Sequence, residues 1–152
     1  MRNLKKHNSA AFSLVELTVI VMLIGIMALI AIPRMNFSAI SRQDTQTTVR
    51  KIVTDLRRTR SLAISNAENN STGFALNITG GNYEIENLDT SETVDSQIIA
   101  SSVNCSGGSE FKFGPLGNLL NGSDTSLTVS GSGKNFTISI VSATGAIKCV
   151  EN

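Results

Sequence analysis

"AFSLVELTVIVMLIGIMALIAIPRM", residues 11–35, decides how the chain is read. The stretch from Phe12 to Ile32 is apolar apart from one acid near its start, Glu16. A helix of about 21 residues reaches about 31 Å, close to one hydrocarbon thickness. A secretory signal has a shorter apolar core, about 7 to 15 residues, with a small-residue cleavage site after it. Here the order differs: Arg2, Lys5 and Lys6 come first, then Asn8-Ser9-Ala10-Ala11, then the apolar run. The bases in front favour a cytoplasmic N-terminus and place the chain beyond Arg34 on the other side. Glu16 fits a simple anchor poorly. An acid at mid-span costs about 2.5 to 3.5 kcal/mol, so it needs a partner, a headgroup or a proton. A cut before Phe12 would create an α-ammonium at nearly this depth. On a neighbouring copy it would offset Glu16, a pairing better suited to fixing register than to adding stability.

The net charge of +1 conceals a division. Residues 1–11 carry +3, residues 12–33 carry −1, residues 34–68 carry +4 and residues 69–152 carry −5. The expected organisation follows these boundaries: a basic leader (1–11), an apolar helix (12–33), an amphipathic helical half (34–68) and a β-rich head (69–152). The only histidine is His7, so a chain cut after Ala11 has none, which excludes most His-dependent catalysis and the commonest metal ligand.

Beyond Pro33 the pattern stays helical. Val49, Ile52, Val53, Leu56, Ala63, Ile64 and Ala67 form one apolar stripe, with Arg50, Lys51, Arg57 and Arg58 off it. Arg60 falls on the stripe, where its stem would snorkel at the edge. "AENNSTG" supplies the stop. Joined to the apolar run, this predicts one helix of about 57 residues, roughly 85 Å long. The remainder reads as strands. "TGFALNITGGNYEIEN" alternates around Gly80-Gly81 as a hairpin. "QIIASSV", "SEFKF", "SLTVSG", "NFTISIV" and "GAIKCV" supply further short strands. The expected fold class is α+β, a long N-terminal helix laid on an antiparallel sheet.

The N-terminal stretch resembles the type IV pilins and the pseudopilins of type II secretion. The resemblance rests on a short basic leader ending in a small residue, Phe12 directly after it, Glu16 at the fifth mature position and Pro33 at the twenty-second. Ala11 departs from it, since the family usually has glycine before the cut. "LRRTRSLAISNA" (56–67), "FKFGPLGN" (111–118) and "FTISIVSATGAIK" (136–148) are similar to the GspH/FimT group of minor pilins and pseudopilins. The resemblance implies cleavage between Ala11 and Phe12 by a prepilin peptidase and N-methylation of Phe12. It implies a pilin fold, a single-pass place in the bacterial inner membrane with the head periplasmic, then a filament. Other subunits would meet the chain through its N-terminal helix, with Glu16 setting register. Gly25 to Pro33 would be where the helix can unwind, against a plain membrane helix with a tolerated glycine. The expected function is a minor subunit near a filament tip. A major pilin, a DNA-binding uptake pilin and an unprocessed membrane-anchored binding domain are the alternatives.

Little else suggests chemistry. Cys105 and Cys149 are too few for zinc and are not a CxxC pair. In a head outside the cytoplasm they predict a disulfide pinning the last strand, against two buried free thiols. "GSGKN" (131–135) lacks the first glycine and the Ser/Thr of a phosphate loop and reads as a turn. Asp89, Glu92 and Asp95 lie in a stretch without EF-hand spacing, which reads as a solvated loop. Six N-x-S/T triplets follow from an Asn-, Ser- and Thr-rich composition. Arg50, Lys51, Arg57 and Arg58 are the candidate DNA contacts, with Lys112, Lys134 and Lys148 as additions. A solvated helix face, or one paired with acidic neighbours, is the competing account. No catalytic site, metal site or cofactor is expected, and the chain reads as a structural subunit, not an enzyme.

Overall fold

The computed structural model describes residues 13–31 and 37–152. It divides into two units, Met1–Asn36 and Phe37–Asn152. The first contributes α1, Leu14–Ala31. Ser13 precedes it, and the Leu17 amide donates to the Ser13 carbonyl. Twelve large hydrophobic residues of α1, from Leu14 to Leu29, are exposed, so no one side of this helix is set apart as a packing face.

The second unit opens with α2, Phe37–Ser65. The expected single helix is therefore corrected: two helices stand where one was predicted. They differ in kind, because α2 has an apolar stripe and α1 is apolar on every side. The 18 residues of α1 span about 27 Å, short of the hydrocarbon thickness of about 30 Å. Among the described residues no helix is long and apolar enough to cross a membrane.

Eight strands follow: β1 Phe74–Thr79, β2 Asn82–Asn87, β3 Glu92–Ile98, β4 Asn104–Ser106, β5 Glu110–Phe113, β6 Ser126–Gly131, β7 Lys134–Val141 and β8 Ala146–Glu151. They form two antiparallel four-stranded sheets, β3-β2-β1-β5 and β4-β6-β7-β8, not the one expected sheet. The β1–β2 hairpin turns at Gly80-Gly81, both with positive φ, as the sequence predicts. On its other side β1 pairs with β5, the edge strand of the first sheet. Segment 118–125 runs between the two sheets. The Leu120 amide donates to Lys112 O on β5, and the Leu119 amide to Ser142 O beyond β7.

One core joins both sheets to α2. Ile52 and Leu56 of α2 are fully buried with Leu76, Phe111, Phe113, Leu127 and Ile138. The stripe runs as predicted from Val49 to Ala63 and then departs, because Ile64 is 45% exposed and Ala67 is exposed. Three threonines share the buried face: Thr45, Thr48 and Thr59. Thr59 satisfies its hydroxyl by donating to the Asp55 carbonyl at 2.7 Å. Gly131 leaves room for Thr45, whose hydroxyl a Cβ there would strike.

Candidate functional site

The processing and assembly residues come first. Ala11, Phe12 and Pro33 lie outside the described residues. Glu16 sits exposed in the first turn of α1, where the unpaired amides favour an acid. Gly25 lies inside α1 with no interruption of the helix there.

The proposed bridge is corrected. Cys105 and Cys149 are both free thiols. Cys105 lies on β4 and Cys149 on β8, the opposite edges of the second sheet. Three strand spacings, about 14 Å, separate those edges, whereas a disulfide spans Cα atoms no more than about 7 Å apart. Burial pushes both thiols above their ordinary value and so away from the reactive thiolate.

Half of the acidic stretch read as a solvated loop is β3, a strand at the edge of the first sheet. Asp95 stands opposite Ile85, whose side chain is in the core, and so faces α2. There it accepts a hydrogen bond from the Arg58 guanidinium. That bond, with a second from Gln97, holds the Asp95 carboxyl below the usual carboxylate range. A second tie between helix and sheet lies beside it. Tyr83, 1% exposed, donates its hydroxyl to Asp55 Oδ2 at 2.6 Å. Burial first, and then the Asp55 carboxylate, raise the tyrosine well above its ordinary pKa. Asp44 and Ser102 add a third tie at 3.3 Å. No sequence signal marked these pairings, because each joins groups remote along the chain.

The basic residues of α2 form the most coherent surface. Arg42, Arg50, Lys51, Arg57 and Arg58 are all exposed, whereas Asp44 and Asp55 are half-buried. Arg50 and Arg57 are seven residues apart, as are Lys51 and Arg58, so each pair stands on one face about 10.5 Å apart along the axis. Among the described residues only Arg58 of the five has an ion-pair partner. The lysines expected to extend the surface do not join it. Lys112 pairs with Glu110 on the outer face of the first sheet. Lys134 pairs with Glu151 and lies over the Phe136 ring. Lys148 is on β8. A groove beside the stripe is lined by Asp44, Thr47, Thr48, Lys51, Tyr83 and Ile98.

Arg60 differs from the solvent-edge position expected of it. It is half-buried, and its Nε donates to the Gly117 carbonyl at 2.9 Å. Among the described residues no group of three or more His, Cys, Asp or Glu side chains is arranged to hold a metal ion.

Comparison with known proteins gave no match to any protein-family model, curated protein or solved structure. The resemblance to type IV pilins, pseudopilins and the GspH/FimT group is corrected on that finding and on the fold, whose described residues form two helices, Leu14–Ala31 and Phe37–Ser65, and no continuous long one. The corresponding function, as minor, major or DNA-uptake pilin, is corrected with it. So are the partners expected through a membrane-spanning N-terminal helix, namely other subunits, the prepilin peptidase and the inner membrane. The single-pass placement falls because no described helix is long and apolar enough to span.

Proposed function

We propose that this chain is a non-catalytic interaction protein whose basic α2 face docks an acidic protein surface. One observation carries the proposal. The exposed face of α2 holds Arg42, Arg50, Lys51 and Arg57 without ion-pair partners among the described residues, and it exposes no Asp or Glu. Unpaired cations aligned on a rigid helix steer encounter and fix the orientation of a complementary surface. The flanking carboxylates argue for a protein partner over nucleic acid. Asp44, Asp55 and Asp95 border the stripe, and Asp95 already holds Arg58. A continuous phosphate chain would meet those acids, whereas separate carboxylates on a protein can be spaced to avoid them. Residues 42–65 also contain no aromatic side chain on which a base could stack.

Fluorescence anisotropy of the full chain with labelled polyglutamate and with a DNA duplex tests the assignment. Polyglutamate should bind at low salt and release as salt rises. Its binding should be lost in the double variant Arg50→Glu/Arg57→Glu. No binding, or unchanged binding by the double variant, overturns the proposal. Tighter binding of the duplex replaces the protein partner with nucleic acid.

A further inference from the structure

The basic stripe does not end at Arg57. Arg50, Thr54, Arg57, Ser61 and Ile64 follow one another at spacings of four and three, so they lie in a single row on the exposed side of α2. The row finishes on an apolar residue, Ile64, 45% exposed.

A rigid turn meets it there. The Gly117 amide donates to the Gly114 carbonyl at 2.8 Å, and the Gly114 amide to the Asn118 carbonyl at 2.9 Å. Pro115 and Leu116 occupy the corners, and proline's fixed φ suits the first of them. Gly117 has φ +77°, and a Cβ on it would stand 2.7 Å from Ile64 Cδ1. Its carbonyl takes the Arg60 hydrogen bond at 2.9 Å. Gly145, in the β7–β8 turn, closes on the same carbonyl, and a Cβ there would collide with it and crowd Arg60 Nε. The end of α2 and two turns are thus locked around one peptide group. At the tip of the locked turn stands Leu116, 89% exposed.

We propose that Leu116 and Ile64 are the apolar anchor of the docking face. The partner then has an apolar pocket for Leu116, with an acidic surface beside it that meets Arg57 and Arg50. This rests on the reading of α2 as a docking face. Charge complementarity sets the partner's chemistry along the row, and the apolar end sets it at the pocket. A side chain on a turn held this firmly loses little freedom on binding, which is the condition under which one residue anchors an interface.

The probe is a synthetic amphipathic helix of Glu and Leu heptads, titrated into the full chain with Leu and Ile methyl groups labelled for NMR. The Leu116 and Ile64 methyl signals should shift together with amide signals of residues 50–61. Leu116→Ser should weaken the peptide about ten-fold or more and leave polyglutamate binding unchanged. At 89% exposure, this substitution leaves the fold intact. If the peptide binds Leu116→Ser as tightly as the parent, the anchor is wrong while the basic docking face stands. If the parent binds polyglutamate but not the peptide, the anchor is likewise wrong; if Arg50→Glu/Arg57→Glu binds the peptide undiminished, the docking face itself falls.

Discussion

α1 and α2 follow one another along the chain and carry their apolar residues in different patterns. α2 buries Val49, Ile52, Val53, Leu56 and Ala63 in one face and turns its cations outward. α1 supplies none of the described core, although it is by far the more apolar helix. Hydrophobicity therefore does not decide which helix organises the body; periodicity does. A stripe at helical spacing matches the faces of two sheets, and a helix apolar all round offers no preferred side. The same contrast separates α2's two faces. Its inner face holds the head together, and its outer face carries Arg50, Lys51 and Arg57 exposed.

The sharpest test sets equivalent substitutions against each other. Leu56→Ala removes a fully buried side chain at the junction of α2 and the sheets. It should cost about 2 to 5 kcal/mol, read as a lowered urea midpoint. Leu23→Ala in α1, where Leu23 is 55% exposed, should leave the unfolding of the body unchanged. Equal losses would erase the distinction between the two helices.

A smaller effect reports on how α2 is fastened. Tyr83 is the only tyrosine and the chain has no tryptophan, so alkaline absorbance near 295 nm follows this one group. Its folded pKa is raised, first by burial and then by Asp55. The neutral phenol therefore favours the folded state. That stability is complete below the unfolded value of about 10 and is lost as pH rises toward the folded value. Tyrosinate should appear only with unfolding. Asp55→Asn should lower the onset while leaving it above 10, because burial is the larger cause. An onset at 10 in the folded parent would sever the tie between α2 and β2. Tyr83→Phe should cost about 1 kcal/mol through the lost hydrogen bond.

What could be read from the sequence follows the same division. The stripe from Val49 to Leu56 was legible because each of its residues is apolar and buried. The Gly80-Gly81 hairpin was legible because its turn needs two residues with positive φ. The strand expected at 97–103 meets β3 only at Gln97 and Ile98; the rest of β3 reads as a loop because its inward positions hold Asp95 and Gln97, opposite Ile85 and Tyr83. An ion pair to Arg58 stands there in place of an apolar contact, so no alternation shows. The disulfide was misjudged because two cysteines in one β-rich stretch do not reveal that their strands are opposite edges. Arg60 was placed at a solvent edge because its partner, the Gly117 carbonyl, belongs to a turn 57 residues away. The basic face was legible as composition. Its continuation into Ile64 and Leu116 was not, since Leu116 arrives through a loop.

The smallest expected effect is the most demanding. The unit Phe37–Asn152 contains every described residue of the core, both sheets, the two ties from α2 to the first sheet and the third to the turn after β3. Removing residues 1–36 should therefore leave its thermal midpoint and its urea slope unchanged. The slope matters as much as the midpoint, because it scales with the surface exposed on unfolding. If α1 unfolds with the body, its removal lowers the slope even when the midpoint holds. A constant midpoint with a constant slope means that α1 takes no part in the cooperative unit. A fall of several degrees would mean that the apolar helix braces the head, and the contrast between the two helices would become one of degree.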